Sequence, residues 1–355
     1  MKSFRCDCGQ RIFFESKRCV HCGAAVGFDP QSLTMLKLAP TGEFPQTKTP
    51  LYNDNKGRTF TYCNNGHQYD VCNWLVEQPE GSAGERATWL CSGCLFNRNI
   101  PYLGNTENLL RWRKFEFAKK RLLFTLMRLQ LPLESGFAKP GRGLLFDFVE
   151  DQRTDPERYP ENFATTGHSN GLITINALEA DDAAREEMRE ELNEHYRTLL
   201  GHLRHESGHY YYLLAEHDPN FVQQFSAWFG DPTRNYEQAL AHYYDHAPIP
   251  DWQRFYITAY ASSHPLEDWA ESWGHYLHIY DALETAASLG ISDKFPSQMS
   301  FHERIVTWRS VSVALNELNR SSGLGDVYPF VLNEAVENKM AAVDACITAL
   351  ALREA

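Results

Sequence analysis

The chain has 355 residues, 43% of them hydrophobic and 13% aromatic, enough for a large core and more than one domain. No apolar run approaches a membrane span and the start, MKSFRCDCGQ, has no secretory h-region, so a cytoplasmic protein without membrane contact is expected. The net charge of −12 is uneven: residues 1–130 carry 18 Lys and Arg against 11 Asp and Glu, and the remainder carries 16 against 35.

The front of the chain is rich in cysteine. Eight of nine cysteines precede residue 95, and in a reducing compartment clustered thiols hold metal more often than they form disulfides. Cys6, Cys8, Cys19 and Cys22 form two short knuckles, followed by Gly9 and Gly23, that suit one tetrahedral Zn²⁺. "GQRIFFESKR" between them can form a hairpin, and bound zinc can supply on the order of 10 kcal/mol of folding energy to a unit too small for its own core. Residues 24–60 show no sustained periodicity and read as a connection with short strands.

Cys63, Cys72, Cys91 and Cys94 form a second set. His67 is an alternative to Cys63, but four cysteines already complete a tetrahedral site. "QPEGSAGE" (78–85) reads as an exposed loop. The basic front suggests an anionic partner, nucleic acid or protein, although two zinc ions on eight thiolates would remove about four of its positive charges.

"TENLLRWRKFEFAKKRLLFTLMRLQL" (106–131) has helical spacing, and its charges Arg111, Arg113, Lys114, Lys119, Lys120 and Arg121 read as a solvated surface rather than an anion site. "GRGLLFDFVED" (141–151) and "GLITINA" (171–177) read as strands, the second either a core strand or an edge that pairs with an extended substrate. Residues 181–217 read as one long helix with Leu192, Tyr196, Leu199, Leu200 and Leu203 facing inward.

Near the end of that helix stands His205-Glu206-Ser207-Gly208-His209, a match to H-E-x-x-H. On a helix, His205 and His209 share a face one turn apart and can bind one metal, while Glu206 is offset toward a water at that metal. In a chain with 14 histidines the match alone decides nothing, and catalytic zinc needs a third ligand. "SSHPLEDWAESWGHYLHIYDALETAASLG" (262–290) begins a helix at Pro265 and carries Glu267 and Glu271 on one face. Glu267 reads equally as a ligand or as an acid stabilising the helix start; His275 and His278 read as helix-face histidines, and Cys346 as a buried hydrophobe. Residues 296–323 and 328–355 read as amphipathic helices joined by "RSSGLG".

These segments resemble the zincin metallopeptidases of the gluzincin type. "PLEDWAESW" is similar to the E-x-x-A-E segment of lethal-factor-type zincins, which implies Glu267 as third zinc ligand, Glu271 hydrogen-bonded to a ligand histidine, and Tyr260 facing the zinc as oxyanion donor, with His275 a weaker candidate. Together with the cysteine knuckles, "CNWLV", "NRNIP" and "RHESGHYY", they resemble the bacterial Peptidase_Mx family of zinc-binding metallopeptidases over nearly the full length; Asn99 departs from an expected threonine. The expectation is an α+β protein: a zinc ribbon (1–27), a second cysteine-rich zinc module (28–104) and a mainly helical zincin-like domain (105–355). It would hydrolyse a peptide or protein substrate with one catalytic and two structural zinc ions. The alternatives are an idle zincin scaffold and a ribbon module that binds nucleic acid or protein.

Overall fold

Strand β1 (Phe4–Arg5) pairs with β2 (Arg11–Ile12), so the hairpin encloses the first knuckle instead of following it. Gly9 and Gly23 close the two knuckles at φ of +87° and +71°, a region open to glycine. The computed structural model describes residues 2–44, 47–78, 89–161, 163–191, 194 and 196–352. All of the anticipated 78–85 loop except Gln78 lies outside them.

Residues 24–60 are more ordered than their periodicity suggests. β3 (Ala25–Asp29), β4 (Thr34–Glu43), β5 (Pro50–Asn53), β6 (Thr59–Tyr62) and β7 (Leu75–Gln78) form an antiparallel sheet in chain order. β4 runs ten residues, and a register shift between Pro40 and Gly42 hides its alternation. A short helix, α1 (Asn64–Gln68), follows Cys63. Phe4, Phe14, Phe28, Trp74 and Phe124 pack in one aromatic cluster, so the cysteine-rich front and the first long helix share a core.

That helix, α2 (Thr106–Arg128), is capped by Asn105, whose side chain accepts from the Glu107 amide at 3.0 Å. Lys114 is solvated and Arg113 and Arg121 are partly so, as expected, but the other three basic residues are not. Arg111, Lys119 and Lys120 are buried; both lysines pair with buried Glu116, at 2.8 and 2.7 Å. Arg111 pairs with Asp181 at 2.7 Å. A second sheet packs on α2 through Phe115 and Phe148, stacked at 4.6 Å. Its order is β10 (Gly167–Ser169), β11 (Leu172–Asn176), β9 (Leu145–Val149), β8 (Asn97–Asn99); only β10 is antiparallel to its neighbour. "GLITINA" is therefore an interior strand, and β10 and β8 are the two edges.

Residues 181–217 are not one helix. α3 (Asp182–Glu191) ends, and α4 (Leu199–Ala215) starts afresh with Thr198 accepting from the Gly201 amide at 3.0 Å. Just before the Thr198 cap, Arg197 reaches buried Glu179 at 2.6 Å. The H-E-x-x-H match thus lies mid-helix in α4, and Leu192 falls outside the described residues. α5 (Pro219–Trp228) and α6 (Tyr236–His246) lead to α7 (Pro265–Ser288), against which α8 (Phe301–Ser321) and α9 (Glu334–Ala351) pack. No described helix is long and apolar enough to cross a membrane. Strands in front and helices behind make an α+β protein.

Candidate metal centre

α4 and α7 cross closely, and the residues inside the motif permit it. A β-carbon on Gly208 would sit 2.9 Å from Ala270 Cα. Trp269 Nε1 donates to the Gly208 carbonyl at 2.8 Å, and Trp273 Nε1 donates to Ser207 Oγ at 3.0 Å. Buried Arg204 holds Asp281 at 2.6 Å, and Thr125 of α2 donates to the same carboxylate at 2.6 Å. Three helices are thereby pinned around the motif.

The crossing brings His205, His209 and Glu267 together, with one ligand atom of each within 4.8 Å of the others. His205 Nε2 lies 3.0 Å from Glu267 Oε2, and His209 Nε2 lies 3.4 Å from Glu267 Oε1. Ligand atoms on a tetrahedral zinc with bonds near 2.1 Å are roughly 3.4 Å apart, so the spacing fits. Glu267 is 1% exposed, and its Oε2 has no aligned hydrogen-bond donor. A buried carboxylate that faces two imidazole nitrogens and keeps one oxygen without an aligned donor calls for a cation.

Glu271 accepts from His205 Nδ1 at 2.6 Å, which turns Nε2 toward Glu267. Burial disfavours charge on His205, but the close carboxylates of Glu267 and Glu271 overcome it and raise its pKa well above the usual value. Burial likewise opposes ionisation of Glu267, and the two imidazoles reverse this and hold its pKa well below normal. Glu206 is 7% exposed, and no hydrogen bond or ion pair joins its carboxylate to another described residue. The Tyr260 ring lies 6.1 Å from that of His205; burial first, then Glu267, Tyr236, Tyr244 and Glu206, raise its pKa well above normal.

Two neighbours of this cluster had no sequence signal. Tyr236, at the start of α6, donates to Glu267 Oε1 at 2.6 Å. His168, on edge strand β10, stacks 6.2 Å from His209 and accepts from the Gly171 amide at 3.0 Å. Burial, then His209, push its pKa down to about 3, so it is a neutral imidazole. Each arrives by tertiary folding, far from the motif in sequence. His275 and His278 are not on a helix surface: His275 is buried with Nδ1 3.0 Å from the Tyr328 hydroxyl, and His278 packs 5.2 Å from the same ring. Cys346 is buried.

Both cysteine sets converge. Cys6, Cys8, Cys19 and Cys22 place their sulfurs within 4.8 Å of one another, as do Cys63, Cys72, Cys91 and Cys94. His67 is exposed and stands outside the second set. Amides donate to sulfur, Trp74 N to Cys72 and Cys91 N to Cys63, both at 3.4 Å. Backbone bonding, led by the Cys22 amide, lowers the Cys19 thiol to about 6 against the opposing effect of burial. Such donors suit thiolate ligands of zinc.

Paired thiol knuckles and a His-His-Glu cluster on crossing helices define a zinc-ribbon protein with a metallopeptidase-like helical half. Residues 108–346 match the family described as "Putative zinc-binding metallo-peptidase", and residues 3–105 match a zinc-ribbon domain that spans both cysteine sets. The chain belongs to that metallopeptidase family. Uncharacterized proteins of Mycobacterium bovis and of two Mycobacterium tuberculosis strains are each 39% identical over 349 residues, covering 96% of this chain and 93% of their own length. No solved structure matches.

Proposed function

We propose that the chain is a zinc-dependent peptidase that hydrolyses peptide bonds of a peptide or protein substrate. In this reading His205, His209 and Glu267 hold the catalytic zinc, and the two cysteine sets hold one structural zinc each. The supporting observation is the convergence of two imidazoles and a buried carboxylate beside Glu206, whose carboxylate has no hydrogen bond or ion pair to another described residue. Zinc bound there would supply Lewis acidity to the scissile carbonyl and to the attacking water.

The other steps belong to the chain. Glu206 accepts a proton from the attacking water and delivers it to the departing amine. Glu271 fixes the His205 tautomer through its 2.6 Å contact with Nδ1. Tyr260 stays protonated and donates to the developing oxyanion. The free edge of β10, not β11, offers main-chain groups to an extended substrate. The ribbons recruit a protein or nucleic-acid partner; a groove of about 440 Å³ beside the first knuckle, lined by Arg5, Arg11, Arg18, Phe13 and Val20, is the surface suited to it.

Zinc per chain, read by elemental mass spectrometry, tests the metal assignment. Wild type should carry three zincs and Glu267→Ala two. Glu206→Gln should keep three and lose cleavage of a peptide library. Three zincs in wild type with no cleavage of any library peptide would instead favour an idle scaffold used for binding.

A further inference from the structure

Glu267 divides its two oxygens unequally. Oε1 accepts the Tyr236 hydroxyl at 2.6 Å and lies 3.4 Å from His209 Nε2, while buried Oε2 faces His205 Nε2 at the shorter 3.0 Å without the alignment of a hydrogen bond. A carboxylate held this way is arranged to bind through one oxygen. We infer that Tyr236 is a positioning residue that fixes Glu267 for one-point coordination through Oε2 and thereby sets the affinity of the His-His-Glu site for zinc. The inference rests on Glu267 being a zinc ligand.

The surroundings of Tyr236 make its aim specific. Asn235 caps α6 by accepting from the Gln238 amide at 2.9 Å, which places Tyr236 on the first turn. The Tyr236 ring meets His264 edge-on at 5.1 Å. His264 Nε2 bonds the Arg234 carbonyl at 3.1 Å, and its Nδ1 accepts from the Leu266 amide at 3.1 Å, capping α7. One histidine therefore ties the start of α6 to the start of α7, two residues before Glu267. None of the residues of α6 is buried, so this clasp and the phenol–carboxylate bond hold the helix end over the site. An outer hydrogen bond of this kind fixes the ligand's orientation, and losing it costs about 10- to 100-fold in metal affinity.

The same geometry separates the two tyrosines. A phenol has one proton to donate. That of Tyr236 is committed to Glu267, so Tyr236 is not the oxyanion donor.

The test uses the full-length chain with its ribbon sites filled. Zinc affinity of the His-His-Glu site is measured by competition with a chromophoric chelator for wild type, Tyr236→Phe, Tyr236→Ala and Glu267→Ala. Cobalt(II) at the same site reports ligand geometry by its visible absorption. Tyr236→Phe keeps the ring contact with His264 and removes only the hydroxyl. It should bind zinc about 10- to 100-fold more weakly and shift the cobalt spectrum, with Tyr236→Ala similar. Wild-type affinity in Tyr236→Phe with loss in Tyr236→Ala would reduce Tyr236 to ring packing and overturn the inference. Wild-type zinc affinity in Glu267→Ala would overturn it at its root, by removing Glu267 from the ligand set.

Discussion

The two cysteine sets carry the same four donors in opposite surroundings. In the first, Cys8 and Cys22 are exposed at the end of a two-stranded hairpin. In the second, all four cysteines are buried, Cys94 Sγ lies 3.6 Å from Glu116, and Lys119 and Lys120 complete the charge balance. Four thiolates on Zn²⁺ leave two negative charges, a heavy load in a core. Burial works against a charged Lys120, but Cys72, Cys94, Glu116 and Cys91 reverse this and raise its pKa well above normal. Lys119 in turn lies 5.7 Å from the rings of Phe146 and Phe148 on β9. Position relative to the core, more than ligand chemistry, decides what a metal bound in each set would hold together.

The largest expected effect follows directly. Cys94→Ser should forfeit zinc-linked folding energy on the order of 10 kcal/mol and strand Lys120 beside an incomplete site, so the whole chain loses its cooperative fold. Cys8→Ser should disturb the hairpin and leave the helical half folded. Circular dichroism and zinc content on the two variants check this; equal damage from both would erase the contrast.

Buried and exposed acids extend the comparison to pH. Glu179 is 3% exposed and faces Arg197 and His202; burial opposes its ionisation, yet these partners lower its pKa to about 2. Because the folded-state pKa is below that of the unfolded chain, the pair stabilises above about pH 4.5 and the gain is lost as pH falls toward 2. It amounts to roughly 3 kcal/mol at most. Glu179→Gln should lower stability at neutral pH and flatten the acid limb of the unfolding curve. Glu186, held by Arg189 on the surface of α3, should show neither change when made Gln. Identical acid limbs in wild type and Glu179→Gln would show that Glu179 does not carry this dependence.

Much of the candidate site was legible because its chemistry is written in residue type and spacing. His205 and His209 are one turn apart, Glu267 and Glu271 likewise, and each pair sits on a helix that the sequence indicates. The cysteine sets declare themselves in the same way. Tyr236 and His168 were not legible: one lies 31 residues before Glu267 in sequence and the other on a three-residue strand, and only tertiary folding brings them in. The new helix start at Thr198 was hidden because 181–217 has helical composition throughout, and the Arg197–Glu179 ion pair beside it forms only in the fold. Lys119 and Lys120 read as surface residues because their i,i+3 and i,i+4 pairing with Glu116 has the same spacing on a solvated helix, and only the fold brings the thiolates and the core to them.

A small expected fall in stability tests how closely the helices must cross. Gly208→Ala gains about 1 kcal/mol of helix propensity. It also places a methyl 2.9 Å from Ala270 Cα and 3.1 Å from Trp273 Cβ. Ala270 Cα is backbone and cannot turn aside, so α4 and α7 must part, at about 1–3 kcal/mol for overpacking. The two terms nearly cancel, and the melting temperature should fall by roughly 2–4 °C or less. The metal cluster has no such compensation. His205 and His209 stand on α4 and Glu267 on α7, so any separation opens the 3.0 and 3.4 Å contacts between them. Gly208→Ala should therefore keep both cysteine-bound zincs and lose the third while the fold persists. Retention of all three zincs with an unchanged melting temperature would show that the crossing relaxes without reaching the site.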